Sequence, residues 1–66
     1  MKQGILYINQ DGRYAIDDYT YFTCGSAIEL EINGRWTETT IEHANGEYYA
    51  VGFQGLNLVG YKARTK

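Results

Sequence analysis

The sequence predicts an all-β fold, a small antiparallel meander of five to six short strands bent into a barrel. Three observations carry this. The run AIELEI, residues 27–32, alternates apolar and polar residues, the period of a half-buried strand. Turn signals recur at short intervals, the strongest being Asn33-Gly34, the pair that best specifies a two-residue hairpin. No stretch shows the three-to-four-residue apolar spacing of an amphipathic helix. With 66 residues there is too little chain for an ordinary two-sheet sandwich, and a small bent barrel removes most exposed edges.

The elements follow in order. Residues 4–9 are an apolar run containing Ile5, Leu6, Tyr7 and Ile8, and read as the first strand. NQDG, 9–12, is a turn, because Asn and Asp bond to the local backbone and Gly12 accepts positive φ. RYAID, 13–17, returns as a second strand with Tyr14 and Ile16 on one face and Arg13, Ala15 and Asp17 on the other. DYTYFTCGS, 18–26, is irregular; its three aromatics suggest a segment folded across the barrel mouth or forming part of a binding surface. In AIELEI, Ile28, Leu30 and Ile32 face the core while Glu29 and Glu31 face water. RWTETTIE, 35–42, returns as the fourth strand, HANG, 43–46, is a turn, EYYAVGF, 47–53, is the fifth strand, and LNLVGYKAR, 56–64, reads as a sixth.

Trp36 and Ile41 conflict locally. They stand five positions apart, so a regular strand places them on opposite faces. A bulge between them would turn both inward; otherwise Trp36 is exposed. Tyr49 is expected in the core and its neighbour Tyr48 outside.

Composition narrows the function. One domain, 1–66, is all the length allows. A domain this small buries only about 60% of its unfolded surface, which leaves little room for a deep substrate pocket. Hydrophobic residues at 44% and charged residues at 21% indicate a folded chain. The net charge of −2 offers no basic excess to draw the whole molecule to nucleic acid. Cys24 is the single cysteine, so no internal disulfide forms, and a lone thiol suits a reducing cytoplasm. The N-terminal stretch lacks the pattern of a signal peptide, and no run approaches the roughly 20 apolar residues of a membrane span. The expectation is a soluble cytoplasmic protein.

Candidate chemistry is sparse. Cys24 and His43 lack the further ligands a metal site needs, and no orienting group or oxyanion site makes them a nucleophile and base. Cys24 reads as a small half-buried residue before a turn and His43 as a solvated turn residue. Asp17-Asp18 reads as a strand terminator. No catalytic residue, metal or cofactor is expected.

The residues Gly25, Ile28, Leu30, Gly34, Trp36, Ile41, Tyr49 and Val51 resemble, in order and type, the middle of SH3-like and Tudor-like barrels. The resemblance covers about half the chain and implies an SH3-like barrel; it says more about fold than about ligand. A second likeness runs most of the length. INGRW (32–36), TTIE (39–42), YYAVG (48–52) and GLNLVGYKAR (55–64), with an opening G-x-L strand and GRY at 12–14, are similar to a family of small uncharacterised domains. Those domains come from Gram-positive bacteria and are often encoded on phages and conjugative elements. The likeness implies a bacterial or mobile-element accessory protein and carries no activity with it.

Three functions follow as expectations. The first is a non-enzymatic interaction module, with Trp36, Tyr19, Tyr21 and Tyr48 as anchors and Glu29, Glu31 and Glu38 steering a basic protein partner. The second is a weak nucleic-acid binder using Lys62, Arg64 and Lys66, which alternate onto one side of the last strand, with Tyr61 to stack on a base. The third is a homo-oligomer subunit that buries its aromatic patch or a free edge against its own copy.

Overall fold

The computed structural model describes residues 2–66. The described residues form eight strands: β1 (Gln3–Ile5), β2 (Tyr7–Ile8), β3 (Tyr14–Asp17), β4 (Thr20–Tyr21), β5 (Ala27–Ile32), β6 (Arg35–Ala44), β7 (Glu47–Ala50) and β8 (Lys62–Thr65). They make two antiparallel sheets, one in the order β1-β8-β5-β6-β7 and one in the order β2-β3-β4. No helix among the described residues is long and apolar enough to cross a membrane. The all-β class and the antiparallel pairing are as expected.

The central hairpin forms where the alternation is cleanest. Asn33 and Gly34 take φ of 51° and 81°, the pair of positive values that a type I′ turn demands. That two-residue loop sets the register, with Leu30 opposite Thr37 and Ile28 opposite Thr39. Ile28 and Leu30 are fully buried. Asn45-Gly46, at φ of 54° and 80°, repeats the device between β6 and β7.

The first strand divides at Leu6. Its N–H donates to the Tyr61 carbonyl and its carbonyl accepts from the Gly60 N–H, both at 2.9 Å, while its side chain is buried. This corner carries the chain from the larger sheet into the smaller one. Gly4, just before it, passes so close to β3 that an added Cβ would lie 3.0 Å from both the Cβ and the carbonyl oxygen of Ile16. The edges of the larger sheet are β1 and β7 and those of the smaller sheet β2 and β4, with β1 and β2 joined through the Leu6 corner.

Three expectations need correction here. Ala15, placed on the outer side of its strand, is fully buried. It stands in register between Tyr7 and Tyr21, and a methyl flanked by two large side chains is shielded from water. The fifth strand ends at Ala50, short of Phe53. The sixth begins only at Lys62, because residues 50–61 fold as successive turns: Phe53 N–H to Ala50 O, Leu56 N–H to Phe53 O, and Tyr61 N–H to Leu58 O. The irregular segment 18–26 does fold back. Phe22 enters the core and its N–H donates to the Tyr14 carbonyl at 2.8 Å.

The core lies between the sheets. Leu6, Ile28, Leu30, Ile41 and Leu58 are its largest fully buried side chains. Tyr14 joins them, its hydroxyl accepting the Leu58 N–H at 3.3 Å, so the one polar atom of the ring has a partner inside.

Candidate functional site

The aromatic residues expected to form one patch occupy three separate surfaces. Trp36 lies on the outer face of the larger sheet. No bulge interrupts β5–β6 pairing, so Trp36 stands opposite Glu31 on the outside while Ile41 points into the core. Glu29 and Glu38 pair with each other on the same outer face.

β8 brings the basic residues to that face. Arg64 is opposite Glu29 in register, and its Nε donates to Glu29 Oε1 at 3.0 Å. A second bond from its NH2 to Glu29 Oε2 is longer, 3.5 Å. The guanidinium carbon stands 4.0 Å from the centre of the Trp36 ring. Lys66 pairs with Glu38, and Lys62 is exposed on the same strand side. The acidic set and the basic set, expected at different sites, thus form one cross-strand charge ladder. Arg64 is fork-bonded to a carboxylate and stacked on an indole, which uses its donors and its planar face together. Tyr61 is half-buried against the core, away from a stacking position on this face.

Trp36→Ala is expected to leave the fold intact and lower stability by about 1–2 kcal/mol, the worth of a partly shielded cation–π contact. Dispersed amide resonances with a small drop in melting temperature would bear this out. A collapsed spectrum would show that the ring supports the core.

The second surface is a groove of about 430 Å³, bordered by Ile8, Tyr14, Tyr48, Leu56 and Val59 with Glu47 at its rim. The two tyrosines of β7 are reversed relative to expectation. Tyr48 pairs with His43 on the inner side and packs against the core, whereas Tyr49 pairs with Glu42 on the outer side. The two-residue turn at Asn45-Gly46 dictates this, because Tyr48 and Ala50 must share the face of Ile41.

His43 belongs to β6 rather than to a turn, and its ring lies 4.5 Å from that of Tyr48, tilted by 50°. Cys24 is exposed rather than half-buried, since it occupies the tip of a turn in which Ser26 N–H bonds to Thr23 O. Its thiol donates to Glu42 Oε1 at 3.1 Å. That bond, with burial and the carboxylate charge behind it, raises the thiol pKa and so disfavours the thiolate. Among the described residues no group of three His, Cys, Asp or Glu is placed to hold a metal ion.

The third surface is the outer face of the smaller sheet. Tyr7 and Tyr21 flank Ala15 there, 36% and 55% exposed, and Tyr19 at the adjoining turn is 88% exposed. A hollow of about 450 Å³ opens beside the two flanking rings, edged by Asp11, Asp17 and Asp18. Local chemistry shapes it. Asn9 Oδ1 accepts the N–H groups of Asp11 and Arg13, each at 3.0 Å, which closes the β2–β3 turn. Asp17 Oδ1 accepts the Tyr19 N–H at 2.8 Å. That bond above all holds the Asp17 carboxyl below its ordinary pKa, against a burial effect, with help from the Thr20 hydroxyl and Lys2.

Cations stand at the margin. Lys2 Nζ is 3.5 Å from Asp17, Arg13 is 4.0 Å from Asp11, and the Arg13 guanidinium carbon is 5.6 Å from the Tyr21 ring centre. Tyr19 and Tyr21 were expected in an aromatic surface, and they are exposed. Their acidic neighbours are aspartates rather than Glu29, Glu31 and Glu38, and Tyr7 joins them from outside the expected set. Its parity with Ile5, outward on the other side of the buried Leu6, was the signal available.

A domain family described as a domain of unknown function, DUF5348, matches residues 3–65. No curated protein and no solved structure matches the chain.

Proposed function

The chain belongs to the DUF5348 family, and we propose that it is a small non-enzymatic module that binds a protein partner through an exposed aromatic and acidic surface. The surface is the outer face of the smaller sheet: Tyr7, Tyr19 and Tyr21, with Asp11, Asp17 and Asp18 around them. One observation carries the reading. Tyr7 and Tyr21 are displayed on one face of the smaller sheet, and Tyr19, at the adjoining turn, is 88% exposed, too open to be explained as core. Tyrosine gives a binding surface a large rigid ring with one polar tip, and such residues dominate interface energetics. The Trp36 face supports partner binding less well, because its carboxylates already face cations of the same chain.

For the same reason the nucleic-acid reading is the weaker alternative. Arg64 and Lys66 are engaged by Glu29 and Glu38, which leaves Lys62 as the cation of β8 without an ion pair among the described residues. The likeness of INGRW, TTIE and YYAVG to Gram-positive phage and conjugative-element domains, together with the lone thiol, supports a bacterial cytoplasmic setting in the service of a mobile element.

The test is a pull-down from a Gram-positive lysate, with and without nuclease, comparing the protein with a Tyr7→Ala/Tyr21→Ala variant. The expected result is a discrete protein that survives nuclease and is lost from the variant, each ring contributing about a tenfold effect or more. Retention that disappears with nuclease would shift the weight to Lys62, Arg64 and Lys66. Equal retention by the folded variant would place the binding surface elsewhere.

A further inference from the structure

We infer that the hollow between Tyr7, Tyr21 and the three aspartates receives an arginine side chain from an extended segment of the partner. The inference rests on the binding surface proposed above and names what that surface recognises.

Charge selects a cation. Asp11, Asp17 and Asp18 edge the hollow, and the chain's own cations meet only the first two of them. Lys2 reaches Asp17 at 3.5 Å with both side chains about half exposed, and Arg13 stands at 4.0 Å from Asp11. Asp18 has no ion-pair partner among the described residues.

Shape selects a planar one. Tyr7 and Tyr21 sit on strands either side of β3, in register with Ala15. The rings close over the fully buried Ala15 between them and both border the hollow beside Asp17 and Asp18. A flat guanidinium stacks against an aromatic face while its edge donors reach carboxylates in the same plane; a compact ammonium does one or the other.

The protein contains a completed example of this contact and an incomplete one. Arg64 stands 4.0 Å over Trp36 and donates to Glu29 at 3.0 Å. Arg13 approaches Tyr21 only to 5.6 Å, and its Nε is buried without a hydrogen-bond partner. An incoming arginine that stacks on a tyrosine ring and reaches Asp18 makes at close range the kind of contact that Arg13 makes only at long range. Arg13 then acts as a nearby like charge that opposes entry.

The experiment titrates ¹⁵N-labelled protein with the capped peptide acetyl-Gly-Arg-Gly-Arg-Gly-amide, and with counterparts carrying citrulline or lysine in place of arginine. Citrulline keeps the shape and removes the charge. Amide shifts are expected within residues 7–21, with binding about tenfold weaker for citrulline and several-fold weaker for lysine. Arg13→Gln is expected to tighten arginine-peptide binding about threefold, and Asp18→Asn to weaken it by a similar factor.

Equal binding of the citrulline or lysine peptide, shifts centred on Trp36, or weaker binding by a folded Arg13→Gln would each overturn the inference. So would the same shifts produced by calcium chloride or by a single-stranded oligonucleotide. Should the peptide fail while the Tyr7→Ala/Tyr21→Ala variant still loses its lysate partner, the surface stands and arginine recognition falls. Should both fail, the surface falls as well.

Discussion

Leu30→Ala is expected to leave the protein largely unfolded at room temperature. Leu30 is fully buried, and its neighbours in register are Ala63 on β8 and Thr37 on β6. Neither is large enough to swing into the space that the lost side chain leaves, so the cavity stays open. Removing a buried leucine costs about 2–5 kcal/mol, the upper values applying where the surroundings cannot collapse. A core in a domain of this size supplies about 3–5 kcal/mol in all. The two ranges overlap, and the expected outcome is collapse of amide dispersion and loss of a cooperative urea transition. A variant that keeps its sharp spectrum and melts within a few degrees of the parent would refute this. It would mean that the stability comes from elsewhere than the Ile28–Leu30–Ile41 cluster.

Gly4→Ala is expected to destabilise by about 1–3 kcal/mol, opposite in sign to the usual effect of removing a strand glycine. An added methyl normally reduces the freedom of the unfolded chain and gives a gain of about 0.4–1 kcal/mol. Here the new Cβ would meet the Cβ and the carbonyl oxygen of Ile16, each at 3.0 Å. Ile16 lies in the middle strand of the smaller sheet, at the irregularity between Ala15 and Asp17, and both of those neighbours are paired, so its backbone withdraws only by pulling on them. The urea midpoint should fall at constant slope. An unchanged or raised midpoint would show that the β1–β3 crossing is looser than the distances imply.

Much of the fold was legible where local rules agreed. AIELEI followed by Asn-Gly set a strand, a turn and a register at once, and Ile28, Leu30 and Ile41 fell inside. The Trp36–Ile41 conflict dissolved without a bulge, since the plain register already placed the indole outside. The same rule at Asn45-Gly46 would have put Tyr48 inward, but reading HANG as a four-residue turn hid the register. Residues 56–61 misled for a different reason. Leu56, Leu58 and Gly60 mimic alternation, yet the closely spaced Gly52, Gly55 and Gly60 mark turns, and a strand interior seldom carries such glycines. The charge ladder was out of reach, because nothing local in YKARTK tells that β8 will lie between β1 and β5. The tyrosine surface was partly legible in Tyr19 and Tyr21. Its third member and its aspartates depend on β2 meeting β3, a pairing that the 9–12 turn announced.

The place of β8 in the larger sheet has a consequence for how the protein is made. The last strand in sequence is an inner strand in space, seated between the first and the fifth. During translation the hairpins β2–β3 and β5–β6 form from local contacts as they leave the ribosome. The sheet cannot join until residues 62–65 emerge, because β1 and β5 have no direct pairing and meet only through β8. Nascent chains with only the residues before Lys62 outside the ribosome should therefore remain open to proteases, and emergence of residues 62–65 should convert them abruptly to a protected form.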